Sequence, residues 1–438
     1  MNITSYQAAF GAVDKTGSEM RKAVEEWFDL YYRNRVTDGE DPCQRIACTV
    51  VSKLVRAVFA EYQASSDDPA TGQLLSALNG HRQTAMQLAL VGGECYLKPW
   101  VQGGKVGFTP VARNRALIFA RDALGEPTDM GMVEQSTLGN AYYTLLERRT
   151  LGADGLTVEY KLFRSYRAET LGDPVSLTSH PAYRELSQRY TYPASLGMGL
   201  VRMKNPMLNC VDGSGEGVSV YAPATALIHA IDRNEYLLTG EFERGQSRVF
   251  ASKDLLDQND ALSQNLFVGL DEDPERVGLT VFSPQLRENA FLARKQEYLR
   301  NVESVIGLKR GLLSDANLAD RTATEIASSQ GEHSLTVLDF QRMWQEAVSA
   351  LLTICVQLCK LYGMAVPTGK VSMDWGNGEL NDQQTLWADY KDMVARGLIA
   401  PEVALGWRFG MEAKTEADRE AIRKRFMPNE QEFRSCPA

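Results

Sequence analysis

The longest regular alternation of apolar and polar positions lies in the second half of the chain. Steps of four and three residues from Ile326 pass through Gln330, His333, Val337, Phe340, Trp344, Ala347, Leu351, Ile354, Leu358 and Leu361. They trace one nearly unbroken seam along a helix. Thr322-Ala323-Thr324-Glu325 has the spacing of a capping box, in which the Thr322 hydroxyl and the Glu325 carboxylate each satisfy an orphan backbone N–H, and Gly363 closes the run. The predicted helix has about 40 residues and is about 60 Å long. That length exceeds the usual globular range, leaving a coiled coil, a membrane span or a wall shared between subunits. Charges throughout the run exclude the membrane span. Gln330 and His333, with Gly331 between them, interrupt the seam and predict a kink.

A second long helix is predicted just upstream. Ser283 is a good N-cap, Pro284 suits the first helical turn and Gly307 is a stop, so 284–306 reads as a rod of roughly 35 Å. A short loop holding Lys309 and Arg310 separates the two rods. Before the first rod, Leu227, Ile228, Ile231, Leu238 and Phe242 share a helical face that runs to about Arg244, and Arg248-Val249-Phe250-Ala251 reads as a short strand. The stretch from Lys253 to Ser283 is acidic and turn-rich around Asp271-Glu272-Asp273-Pro274, as expected of a compact knob between two helices.

The N-terminal half begins with three predicted helices: 18–33 with Met20, Val24, Trp27, Phe28 and Tyr31 on one side, a second opened by Asp41-Pro42, and a third over 70–91 ended by Gly92-Gly93. The period then changes to two, predicting strands near 95–101, 105–111, 115–120, 129–136, 140–149 and 156–165, with hairpin turns at Gly103-Gly104 and Asp154-Gly155. Residues 167–221 are loop-rich. Gly213-Ser214-Gly215-Glu216-Gly217 lacks the lysine-serine or lysine-threonine of a phosphate-binding loop and reads as a turn. Val371 to Trp375 alternates like a strand, and 382–426 carries short, charged helices. The fold class expected is α+β.

Composition narrows the function. The 438 residues, 44% hydrophobic and 24% charged, suit a folded protein of two or three domains. No apolar run reaches the roughly 18 residues of a membrane span, and MNITSYQAAFGAVDK lacks a basic segment followed by an apolar core, so a cytosolic chain is expected. Seven cysteines without a CxxC pair read as reduced, mostly buried side chains. Cys355 and Cys359 share a helix face, but without a nearby histidine they make a poor zinc site. His81, His180, His229 and His333 are isolated, and there is no GxSxG element. Asp374, Glu379 and Asp382 could hold a cation, but a solvated turn is the commoner origin of such a group. No catalytic residue, metal or cofactor is expected. A net charge of −9 argues against a protein that grips nucleic acid by neutralising phosphates.

Four pieces in a fixed order resemble the portal proteins of tailed double-stranded DNA bacteriophages, above all those of the long-tailed phages. They are Gly217-Val218-Ser219-Val220-Tyr221 leading to Ala230-Ile231-Asp232; Gly245 to Ala251; Phe282-Ser283-Pro284-Gln285-Leu286-Arg287; and Ile306-Gly307-Leu308 followed by Arg321-Thr322-Ala323-Thr324-Glu325-Ile326. Together they cover roughly residues 205–365, and the N-terminal half agrees in organisation only. Two positions depart from the family: Gln246 and Ser247 precede Arg248 where lysines are common, and Lys309-Arg310 replaces a frequent Ser-Pro pair.

The resemblance implies a portal fold: a wing, a helical stem, a small α/β clip, a long kinked wing helix and a helical C-terminal crown. By position, 1–221 is the wing body, 222–244 and 284–306 the stem helices, 245–283 the clip, 307–321 the tunnel loop, 322–381 the long wing helix with a return strand, and 382–438 the crown. It further implies a homo-oligomeric ring, a dodecamer, at one capsid vertex, and so a virion protein made in the host cytoplasm. Double-stranded DNA would pass through the channel during packaging and ejection. The terminase large subunit and the head–tail connector would dock on the clip, with major capsid and scaffolding proteins as further partners and no membrane. Lys309, Arg310 and Arg321 would face the DNA, Arg248 and Lys253 would give the clip and stem their basic character, and Thr322 with Glu325 would cap the long helix. A dozen copies would carry roughly −100 charges, so phosphates would be repelled by the wall and met by few cations. The alternatives are a structural adaptor or coat protein of another viral assembly, and a metal-dependent hydrolase.

Overall fold

The computed structural model describes residues 3–32, 43–168, 170–245, 248–252, 267–270, 280–282, 285–315, 323–376, 383–411 and 413–427. The chain divides into two compact units, Met1–Trp375 and Gly376–Ala438.

The first unit opens with α1 (Ile3–Phe10), α2 (Ser18–Tyr32) and α3 (Ile46–Val58). The α2 stripe of Met20, Val24, Trp27, Phe28 and Tyr31 is buried, as its spacing predicts. Asp41 and Pro42 lie outside the described residues. The helix predicted over 70–91 is two helices, α4 (Pro69–Asn79) and α5 (Arg82–Gly92). Asp68 caps α4 by accepting the Thr71 N–H at 2.9 Å with Pro69 in the first turn, and Asn79-Gly80 supplies a break that poor helix propensity favours. Nor do the three predicted helices all precede the strands. The strand β1 (Gln63–Ser66) comes before α4 and pairs antiparallel with β14 (Val371–Asp374), some 300 residues away, with Gln63 opposite Asp374.

Strands β2 (Glu94–Gln102), β3 (Lys105–Ala112), β4 (Ala116–Arg121), β5 (Pro127–Leu138), β6 (Ala141–Gly152) and β7 (Gly155–Ser165) fall on the six predicted segments. Gly103 and Gly104 both take positive φ, the requirement of the tight turn between β2 and β3. The β6–β7 turn sits at Ala153-Asp154, one residue earlier than expected, because Gly152 and Gly155 pair across it. With β8 (Asp173–Val175), β9 (Arg189–Tyr192) and β10 (Val201–Lys204), these strands make two sheets: β10-β2-β3, and β4-β5-β6-β7-β8 with β9 also on β7.

The long helix is α8 (Ala323–Leu361), one element of 39 residues that runs through Gly331. Phe340, Trp344, Ala347 and Leu351 of its seam are buried in the main core, but so are Met343, Val348 and Cys355. The apolar stripe is thus wider than a coiled-coil seam, and this half of α8 is a core helix packed on α3, β2 and β10. Trp344 is fully buried, donates to the Tyr62 hydroxyl at 3.1 Å and stands edge-on to Phe59 at 5.4 Å.

The second unit holds α9 (Gln383–Ala395), α10 (Pro401–Phe409) and α11 (Glu416–Phe426). Thr415 and Asp418 form a capping box at α11, and Ala404 and Ile422 are buried within this unit.

Candidate functional site

Between β10 and α8 the chain makes a helical hairpin crowned by a small sheet. Its arms are α6 (Thr225–Arg244) and α7 (Glu288–Ile306). The second arm starts at Glu288 rather than Pro284. Residues 285–287 are not helical, since the chain is there turning from the small sheet into the helix, and α7 is therefore about 28 Å long. Ser283 and Pro284 lie outside the described residues. The arms run antiparallel: the Asn234 side chain donates to the Phe291 carbonyl at 3.1 Å, Lys295 pairs with Glu235 at 2.7 Å, and Arg287 pairs with Glu241 at 2.7 Å.

At its base the hairpin belongs to the main core through Ile228, Ile231, Leu299, Val302 and Ile306. Toward the small sheet it leaves the core. Leu292 continues the Leu299 and Ile306 stripe at seven-residue spacing, yet it is 49% exposed. Tyr236 (40%) and Leu237 (37%) lie about 160° and 100° round α6 from the buried Leu238, so their own partner arm cannot cover them. Phe242 is 46% exposed.

The small sheet has the order β12-β11-β13, from β11 (Arg248–Ser252), β12 (Phe267–Leu270) and β13 (Thr280–Phe282). β11 is parallel to β12 and antiparallel to β13, with Arg248 opposite Phe282. Lys253 lies outside the described residues, and the Arg248 side chain is not among those described.

The loop after α7 turns at Gly307, whose φ of +77° suits glycine, and Leu308 is buried. The Leu308 N–H donates to the Glu303 carbonyl at 2.7 Å, and the Thr336 hydroxyl of α8 donates to the Gly307 carbonyl at 3.2 Å. Arg310 is exposed, whereas Lys309 is half-buried beside His333. Burial lowers the proton affinity of His333, the Lys309 charge lowers it further, and a hydrogen bond with the Gly307 backbone partly restores it. The two cations expected at the loop tip thus differ in exposure. Arg321 and Thr322 lie outside the described residues. Glu325 falls in the first turn of α8, and its side chain is not described.

No protein-family model matches the chain, and no curated protein matches it. Among solved structures it is similar to a chain of the neck of a native GTA particle, computed with C12 symmetry, at 11% identity and a TM-score of 0.47, covering 92% of this chain and 98% of that one. A chain of the neck of an empty GTA particle, computed with C6 symmetry, is similar at 12% identity and a TM-score of 0.48, covering 91% and 95%.

The glycine run at 213–217 has a structural task. A Cβ on Gly217 would lie 2.3 Å from the Gly93 carbonyl oxygen, and one on Gly93 equally close to that of Gly217, so two backbones cross here in direct contact. Glu216 is buried and pairs with Arg113 at 3.0 Å and Arg121 at 2.9 Å. Glu94, fully buried, takes Arg202, the Tyr96 hydroxyl at 2.7 Å and the Gly217 N–H at 2.7 Å. Burial alone would raise the Glu94 carboxyl, but Arg202 and Arg113 outweigh it and hold it at about 2. This ion network was not foreseen. Its only sequence trace is the pair of glutamates beside glycines, whose arginine partners come from remote segments.

Three places could suggest chemistry. Ser136 lies 3.5 Å from His180 Nε2, but His180 Nδ1 accepts the Ala182 N–H at 3.3 Å, so Nε2 carries the proton and cannot take one from Ser136. A cavity of about 190 Å³ is lined by Asp14, Thr16, Arg21 and Arg113, whose polar groups bind one another: Arg21 to Asp14 at 3.4 Å and Arg113 to Thr16 at 2.8 Å. Asp374 is in β14, while Glu379 and Asp382 lie outside the described residues. Among the described residues, no group of three His, Cys, Asp or Glu side chains is placed to hold a metal, and no helix is long and apolar enough to cross a membrane. The six described cysteines are free, with Cys95, Cys355 and Cys359 buried.

Proposed function

We propose that the chain is the subunit of a portal-type ring, a non-enzymatic virion component built around a DNA channel. The observation that carries this reading is the projecting hairpin: its base is anchored in a core, while Tyr236, Leu237, Phe242 and Leu292 stand bare on its outer part. Large apolar side chains left in water on a protruding element mark a surface awaiting a partner. These flanks differ from each other, so copies meeting through them make a heterologous contact, which closes into a ring when the rotation allows.

In this reading α6 and α7 are the stem. The β12-β11-β13 sheet is the clip that docks the packaging motor, a terminase large subunit, and later the head–tail connector. The loop from Gly307 narrows the channel through which double-stranded DNA passes, with Arg310 the more exposed of its two cations. The four sequence pieces shared with phage portal proteins support the assignment, because they fall on the α6 entry, the clip strand, the α7 entry and the loop with the start of α8. Negative-stain imaging of the purified chain should show rings with a central hole. A well-folded protein that stays monomeric at concentrations of tens of micromolar would overturn the proposal.

A further inference from the structure

We infer that Glu303 is a latch that clamps the loop bearing Lys309 and Arg310 onto α7, so that loop and stem helix move as one body. The latch stands on geometry alone; only its consequence for DNA rests on the portal reading.

Glu303 is fully buried near the end of α7. A buried carboxylate needs full compensation by cations or hydrogen bonds. Among the described residues no ion pair includes Glu303, and its donors come from the loop instead. Oε1 accepts the Leu313 N–H and, at 2.9 Å, the Ser314 N–H, while Oε2 accepts the Ser314 hydroxyl at 2.8 Å. The carbonyl of the same residue accepts the Leu308 N–H at 2.7 Å. One residue therefore grips both ends of the segment 308–314. Two further contacts reinforce it: Lys53 of α3 donates to the Leu312 carbonyl at 2.6 Å, and the Asp315 N–H donates to the Gln296 side chain at 2.8 Å. Gln296 lies two turns before Glu303 on the same side of α7, so Asp315 too is held against that helix. Among the described residues of the loop, only the turn at 309–311, with Gly311 at φ +86°, stands beyond the clamp.

The cations are consequently held at a set height relative to the stem, and a displacement of α7 carries them with it. Glu303 is a positioning residue. Hydrogen exchange on the full-length protein tests the latch. In Glu303→Ala the Leu313 and Ser314 amides should exchange at least about ten-fold faster, while α2 to α5 keep their protection. Glu303→Gln keeps one acceptor oxygen and should restore most of the protection; a packing role would not distinguish Gln from Ala in this way at those two amides. Should Glu303→Ala fail to fold, Ser314→Ala and Lys53→Met, which each remove one contact, should still raise exchange over 312–315. Unchanged exchange there in the folded variants overturns the latch. Binding of a short DNA duplex to wild-type and Glu303→Ala rings tests the consequence separately: weaker binding supports it. Equal binding with accelerated exchange refutes the DNA role and leaves the latch standing. Absence of rings from the wild type refutes the portal reading instead.

Discussion

Trp344 shows how much one position can hold. It is fully buried, touches Phe59 and donates to Tyr62, so it joins α8 to the N-terminal helices. Trp344→Ala should cost about 3–5 kcal/mol in urea unfolding. Trp344→Phe, which keeps most of the volume and loses the hydrogen bond, should cost less. Gly93 is constrained in another way, by φ +78° and by a backbone crossing, so Gly93→Ala should lower stability by about 2 kcal/mol or more in the same measurement. Glu94 sets an acid response. Its carboxyl is held at about 2 in the fold against an ordinary 4.5, so its contribution is complete above about 4.5 and is lost as pH falls through about 2. Glu94→Gln takes one carboxylate from Arg202 and Arg113, which keep Glu126 at 2.8 Å and Glu216 at 3.0 Å, so it should cost about 1.5–3 kcal/mol at neutral pH and flatten the fall in urea midpoint between pH 4.5 and 2. A variant as acid-sensitive as the wild type would show that other carboxylates govern that limb.

Among the elements, the proposed function rests on the hairpin and its loop. Leu237→Glu with Phe242→Glu places charge on bare flanks without touching Ile228, Ile231 or Leu299. The variant should keep the wild-type melting temperature to within a few degrees while size-exclusion chromatography with light scattering reports only monomer. If the proposed portal ring forms, Arg310→Ala should weaken its DNA binding and reduce the salt dependence more than Lys309→Ala does, because Lys309 is half-buried beside His333. Equal effects would mean that the two cations reach DNA alike. At this scale the sequence was legible where a pattern is local. The α2 stripe, the six strands and the α6 face depend on spacing, and spacing survives folding. It was illegible where an end depends on a distant partner: β1 exists through β14, and α7 starts late because the chain before it comes out of the small sheet.

The whole molecule consists of two units that each bury their own apolar side chains. The amino-acid pattern alone determined the class, α+β, the helix–knob–helix–loop–helix order and the absence of a long uncharged apolar run, since each follows from periodicity and charge along a single segment. Tertiary structure decided what each segment does with its faces. It turned half of the predicted coiled-coil seam into a core stripe, joined Glu94, Arg113, Arg202 and Glu216 from separate segments into one buried network, and seated Glu303 beneath the loop. Those outcomes depend on which surfaces meet, and a carboxylate in a sequence reads the same whether it will face water or three N–H and O–H donors.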